Sequence, residues 1–85
     1  MHYIYMVRCA DGRLYTGYAL DPVKRAAVHN SGKGAKYTRS RLPVELVYTE
    51  QYETATEAHR REWQIKQLSH AMKEAMLAEK FGENE

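Results

Sequence analysis

The first apolar stretch runs from His2 to Ala10. Tyr3, Tyr5, Val7 and Cys9 fall on one face of a strand, with Ile4 and Met6 on the other. Both faces are largely apolar, the pattern of a central strand covered on two sides. Asp11-Gly12 is a hairpin signal, and Arg13 to Tyr18 reads as the return strand. Asp21-Pro22 starts a helix, because Asp caps free backbone N–H groups and Pro suits the first helical position. This helix is expected to reach about Asn30, with Val23, Ala26, Ala27 and Asn30 inward and Gly32 as the left-handed terminal residue. Arg25 and His29, four apart, share a different face.

Residues 31–42 read as a basic mobile loop. Pro43 opens a third strand, in which Val44, Leu46 and Tyr48 alternate with Glu45, Val47 and Thr49. Thr54 and Glu57 have capping-box spacing, so a second helix is expected over about 55–68. Ser69 starts a third, with Met72, Ala75, Met76 and Lys80 on one side, and Glu83-Asn84-Glu85 is expected to fray. The predicted fold is α+β: a three-stranded antiparallel sheet flanked by helices, in the order β-β-α-β-α-α.

The 85 residues suit one domain, spanning 1–85 with its core at about 2–78. The opening Met1-His2-Tyr3-Ile4-Tyr5 lacks the basic n-region of a signal peptide, and a cytoplasmic domain is expected. The single cysteine, Cys9, excludes an internal disulfide and reads as a small strand residue. No apolar run approaches the roughly 20 residues that span a bilayer, so no membrane partner is expected.

The net charge of +2 conceals a division. Residues 1–49 carry eight Lys/Arg against three Asp/Glu, and residues 50–85 carry five against eight. From Lys24 to Arg41 there are six cations (Lys24, Arg25, Lys33, Lys36, Arg39, Arg41) and no acid. Such a segment binds a polyanion by counterion release, or is simply a solvated loop. Tyr37 within it adds a surface for base stacking.

Glu62 is the anomaly of the second helix. The apolar stripe passes through Ala55, Ala58, position 62, Ile65 and Leu68. A carboxylate on an inward stripe must be paired, hydrogen-bonded or metal-bound. The alternatives are a structural pair with a nearby Arg, or a stripe rotated towards Trp63. The four histidines show no zinc spacing. Gly32-Lys33-Gly34 lacks the full phosphate-loop pattern.

Together these residues resemble the GIY-YIG nuclease domain, in particular its small stand-alone bacterial members. Tyr3-Ile4-Tyr5 stands where Gly-Ile-Tyr stands in the name, and Tyr15-Thr16-Gly17 stands for Tyr-Ile-Gly. Arg25 matches the helix arginine, His29 the His-or-Tyr position a turn later, and Glu62 the metal ligand. Ser31 to Arg39 looks like the basic loop of the small members. Two departures are Tyr3 in place of the first Gly and the absence of any Asn between Asn30 and Asn84, where many full nucleases have one after the Glu helix.

The resemblance implies a phosphodiester hydrolase acting on DNA, or on RNA, structure-selective or weakly sequence-specific. It implies one divalent ion, Mg²⁺ or Mn²⁺, on Glu62, with Arg25 stabilising charge on the phosphate. Tyr15 is the implied general base, His29 polarises or relays, and Tyr5 orients the water. Gly17 is expected to leave room for phosphate backbone, while Lys33, Lys36, Arg39 and Arg41 track neighbouring phosphates. Tyr5 and Tyr15 must then share a face. A two-residue hairpin loop would put them on opposite faces, so a three-residue loop, Ala10-Asp11-Gly12, with Gly12 left-handed, is predicted. The competing readings are a nucleic-acid-binding module without turnover and a protein-interaction domain using the Met72/Met76 helix. A monomer or weak dimer is expected.

Overall fold

A computed structural model describes the backbone of residues 1–82 and the side chains of residues 1–79. Strand β1 (His2–Arg8) is central, flanked by β2 (Leu14–Ala19) and β3 (Glu45–Tyr52) in an antiparallel sheet of order β2-β1-β3. Helix α1 (Pro22–Asn30) and the one-turn helix α2 (Lys36–Arg39) precede β3, and α3 (Ala55–Lys66) and α4 (His70–Gly82) follow it. The fold class is as predicted, with α2 as an addition to the order. The Lys80 side chain and the tail at 83–85 lie outside the described residues.

Coverage of β1 on both faces follows the sequence pattern. Ile4 and Met6 pack with Leu14, Ala58, Ile65 and Leu77, while Tyr5, Val7 and Cys9 pack with Ala19 and Val44. Cys9 is buried, and that burial, with Asp11 nearby, holds its thiol above the ordinary value, as suits a packing residue. The hairpin has the three-residue loop. Val7 pairs with Tyr15 and Arg8 with Leu14, and the Cys9 amide donates to the Arg13 carbonyl at 2.8 Å. Gly12 sits at φ 87°. Tyr5 therefore pairs with Gly17, and Tyr5 and Tyr15 share a face.

Three expectations require correction. The inward stripe of α1 is Pro22, Ala26 and His29; Val23 is 72% exposed. Buried partners for the His29 imidazole rotate the helix away from the simple apolar reading. Asn30 is exposed at its surface yet ties the helix end to β3, its amide exchanging hydrogen bonds of 3.0 and 2.7 Å with the Val44 backbone. The strict alternation in β3 fails too, because a bulge between the partners of Met6 and Val7 inserts Val47. Tyr48 thus faces the α3 side while Leu46 faces the α1 side. On α4, Leu77 is buried and Met76 packs against the core, but Met72 is 54% exposed and Ala75 is exposed.

Two ion pairs fasten the helices. Arg8 grips Glu74 of α4 with two bonds of 2.7 Å, and Arg61 of α3 grips Glu50 of β3 at 2.8 and 3.1 Å. Glu50 also accepts from Tyr48 and Tyr52. Burial alone would raise the Glu50 pKa, but the bonds from Arg61 and the two tyrosines outweigh it and the net shift is downward. Among the described residues no helix is long and apolar enough to cross a membrane.

A Gly12→Val substitution places a branched side chain in the left-handed region. It is expected to lower stability by about 1–2 kcal/mol in urea titrations, with the m-value unchanged.

Candidate active site

The site is built around a buried histidine. His29, on α1, is only 2% exposed. Its Nε2 lies 2.8 Å from the Tyr5 hydroxyl and its Nδ1 2.9 Å from the Thr38 hydroxyl oxygen. Thr38 donates its own proton to the Ala35 carbonyl at 2.9 Å. The Thr38 oxygen must then accept from Nδ1–H, which leaves Nε2 as the acceptor for the Tyr5 proton. The tautomer follows from this chain. Burial, with the Arg25 charge adding to it, holds the His29 pKa below the ordinary value, so the ring is neutral near pH 7. Burial, then Tyr15, pushes the Tyr5 hydroxyl up to about 12 against the downward pull of Arg25. Tyr5 is therefore a proton donor, locked onto His29.

Two glycines make room for this pair. A Cβ on Gly17 would lie 2.6 Å from the Tyr5 hydroxyl oxygen. A Cβ on Gly34 would lie 2.8 Å from the His29 Cα. The space beside Gly17 is filled by the Tyr5 ring, which corrects the expectation that it stands open for phosphate.

Residues 31–42 are also more ordered than a simple loop. Helix α1 ends with the Gly32 amide donating to His29 at 3.0 Å and the Lys33 amide to Val28 at 3.4 Å, with Gly32 at φ 83°. The chain then turns into α2, whose Thr38 is fully buried against His29.

Tyr5, Tyr15, Arg25, Val28, His29 and Lys33, with Gly34 and Ala35, line a cleft of about 470 Å³. Tyr15 meets the His29 ring edge-on at 5.3 Å and stacks on Tyr37 at 5.9 Å. Its hydroxyl has no hydrogen-bond partner among the described residues. Lys33, Lys36 and Arg39 are exposed around the basic turn. Arg41 is committed elsewhere: it donates to Asp11 at 3.1 Å and to the Tyr37 carbonyl at 2.8 Å, and its guanidinium lies 4.2 Å from the Tyr37 ring centre.

Glu62 occupies the inward stripe of α3 as expected, with a side chain 17% exposed, while Trp63 is 65% exposed. Glu62 does not itself line the cleft. It adjoins it: its charge acts on Tyr5, and Lys66, 3.0 Å from Glu62 Oε2, lies 5.9 Å from the Tyr15 ring centre. The other oxygen, Oε1, meets His59 Nδ1 at 3.2 Å. The pairing partners are thus His59 and Lys66 of its own helix, while the neighbouring Arg61 serves Glu50. Sequence reasoning missed His59 and Lys66 in this role, although their spacing of three and four residues from Glu62 carried the signal. Thr38 and Gly34 carried none.

No group of three or more His, Cys, Asp or Glu side chains among the described residues could hold a metal. Glu62 is the carboxylate beside the cleft, and a lone carboxylate suits a hard divalent ion that keeps most of its water, as Mg²⁺ does; Lys66 at Oε2 or His59 at Oε1 would have to give way to it.

This fold, with paired tyrosines, an arginine and a histidine around one cleft and a carboxylate beside it, defines a class. The model of the GIY-YIG catalytic domain matches residues 1–75, and the chain belongs to the GIY-YIG family, a nuclease family. Its relatives are small stand-alone proteins. A UPF0213 protein of Halobacterium salinarum is 55% identical over 77 residues, covering 91% of this chain and 100% of the relative. One from Staphylococcus saprophyticus is 54% identical over 78 residues, covering 92% and 95%. Among solved structures, the solution NMR structure of a UPF0213 protein from Bacillus halodurans has a TM-score of 0.59 at 47% identity, covering 91% of this chain and 82% of that one. A protein from E. faecalis gives 0.60 at 44% identity with the same coverage.

The histidine chain makes two predictions. In ¹⁵N NMR spectra His29 stays in the neutral Nδ1–H form at pH 6.5 and above. Because its folded pKa lies below the unfolded value of about 6.5, its contribution to stability is complete above that pH and is lost as pH falls towards the folded value. A His29→Phe variant loses this part of the slope. Tyr5→Phe leaves Nε2 buried without a donor and is expected to cost about 1–3 kcal/mol, read by thermal unfolding.

Proposed function

We propose that the chain is a metal-dependent endonuclease that hydrolyses phosphodiester bonds in DNA, with selectivity for DNA structure over sequence. The observation that carries this reading is the convergence of Tyr15, Arg25 and the Tyr5–His29 pair on one cleft, with Glu62 adjoining it. Binding alone does not call for a carboxylate beside a phosphate site.

The two tyrosines take different parts. Tyr5 keeps its proton and donates a hydrogen bond to His29, so it shapes the wall of the cleft. Tyr15, whose hydroxyl is uncommitted, is the group that in its phenolate form accepts the proton of the attacking water, with the Lys66 ammonium near its ring favouring that form. Arg25 faces the phosphate and offsets charge that develops on its oxygens. His29 is satisfied at both nitrogens, so it acts by holding Tyr5 rather than by taking the proton of Tyr15.

Glu62 would hold the divalent ion, Mg²⁺ or Mn²⁺, which supplies Lewis-acid polarisation of phosphoryl and leaving oxygens when bound. Lys66 would release Oε2 to such an ion and would keep its positive charge near the Tyr15 ring, where it favours the phenolate form that takes the water's proton. Lys33, Lys36 and Arg39 contact flanking phosphates. Arg41 contributes by fixing Tyr37, and through it Tyr15.

Cleavage of a panel of branched, nicked and linear DNA with Mg²⁺ or Mn²⁺ tests the reading. Glu62→Ala is expected to abolish metal-dependent cleavage with circular dichroism unchanged. Arg25→Ala is expected to slow it by on the order of 10²–10³-fold. Equal cleavage by wild type and a contaminant-free Glu62→Ala preparation would show that the activity lies elsewhere.

A further inference from the structure

A second groove, of about 590 Å³, lies between the β1–β2 hairpin, α2 and α4. Asp11 and Arg13 of the hairpin, Tyr37 of α2, and His70 and Lys73 of α4 line it. We propose that this groove binds the backbone phosphates of the DNA strand where it leaves the catalytic cleft, past Tyr37. The proposal rests on the nuclease reading of the cleft and extends it.

Three observations carry it. The first is continuity. Tyr37 lines the groove and stacks on Tyr15, which lines the cleft. A strand passing over this pair of rings goes directly from one site to the other.

The second is charge. Asp11 is the groove's only carboxylate among the described lining residues, and two arginines share it: Arg41 at 3.1 Å and Arg13 at 3.6 Å. One positive charge is left over from that trio. Lys73 adds another, since its ammonium has no acidic partner among the described residues. Positive charges that the fold leaves unbalanced in a concave surface favour a polyanion.

The third is rigidity. Arg8 holds Glu74 with two bonds of 2.7 Å and also donates to the Gly12 carbonyl at 3.2 Å. One side chain thus joins the hairpin loop to α4, and it does so one residue from Lys73. His70 closes on the same Glu74 at 3.0 Å. Both walls are therefore set before a ligand arrives, so little ordering entropy opposes binding. The stack of Arg41 on Tyr37 fixes the third wall.

The consequence for substrate is a footprint that extends on the hairpin side of the cut bond, read through phosphates and indifferent to base sequence. The test is fluorescence anisotropy of labelled DNA in EDTA, over a range of salt, with Arg13→Gln, Lys73→Gln and the double variant. Arg60→Gln, on α3 outside both the cleft and the groove, controls for net charge. The double variant is expected to weaken binding several-fold at low salt and to flatten the salt slope by about 0.9 for each phosphate it no longer neutralises. Wild-type binding with the slopes of Arg13→Gln and Lys73→Gln each equal to that of Arg60→Gln overturns the groove and leaves the cleft reading standing. Failure of the wild type to bind DNA at low salt overturns both.

Discussion

A neutral imidazole buried between a sheet and a helix needs a donor on one nitrogen and an acceptor on the other. His29 finds them in Tyr5 and Thr38, and most of the local architecture follows from that requirement. Tyr5 must point to the α1 side of β1, and its ring then needs a glycine across the strand, at Gly17. The chain leaving α1 must pass close above the imidazole, and Gly34 permits it. Thr38 must come back down to reach Nδ1, so four residues after Ala35 coil into a turn of helix. The basic segment gains its shape from a hydrogen bond at its buried side, which leaves Lys33, Lys36 and Arg39 exposed at its outer side.

The sheet separates two kinds of chemistry. The α1 face holds Tyr5, Tyr15, Arg25 and His29, while α3 on the other face carries Glu62, whose partners His59 and Lys66 lie against Tyr18 and Tyr15 of β2. Glu62 can be half-sheltered there because Lys66 balances its charge and His59 pairs with its other oxygen from the same helix. This removes most of the penalty of desolvating a lone anion. It also keeps a carboxylate near Tyr5 and Tyr15 without a permanent arginine clamp such as Glu50 receives from Arg61. An Arg–carboxylate pair with two bonds is difficult to open, whereas a lysine that is 46% exposed yields its place at little cost.

The parts of the fold that local rules govern were legible in the sequence. The Asp21-Pro22 start, the left-handed Gly32 and the α3 stripe through Glu62 each rest on spacing within a few residues, whereas the three-residue hairpin loop followed from the family resemblance, which puts Tyr5 and Tyr15 on one face. The parts that were not legible depend on distant partners. The α1 stripe is set by Tyr5, 24 residues from His29, and outranks Val23, whose hydrophobicity suggested an inward place. The Val47 bulge answers to the pairing with Met6 and Val7, and nothing near Glu50 in sequence marks the cluster that Arg61, Tyr48 and Tyr52 form around it. The site shows the same division: its residue types were readable, but the direction of the Tyr5 proton and the use of Gly17 required the packing.

Tyr5 and Tyr15 are chemically identical in the sequence and lie on neighbouring strands of one face, two residue pairs apart in register. Their surroundings give them different chemistry. Tyr5 is 1% exposed, and its hydroxyl is engaged with a neutral histidine; burial, first of all, drives its pKa to about 12. Tyr15 is partly exposed, meets His29 only through the ring edge, and has the Lys66 ammonium near its face. The buried tyrosine therefore gives up the capacity to act as a base and gains the capacity to hold the cleft in shape. Its partner keeps an uncommitted hydroxyl in the same cleft. For the proposed reaction, this separation leaves Tyr15 as the tyrosine of the pair whose hydroxyl is open to a water in the cleft, since that of Tyr5 is spent on His29.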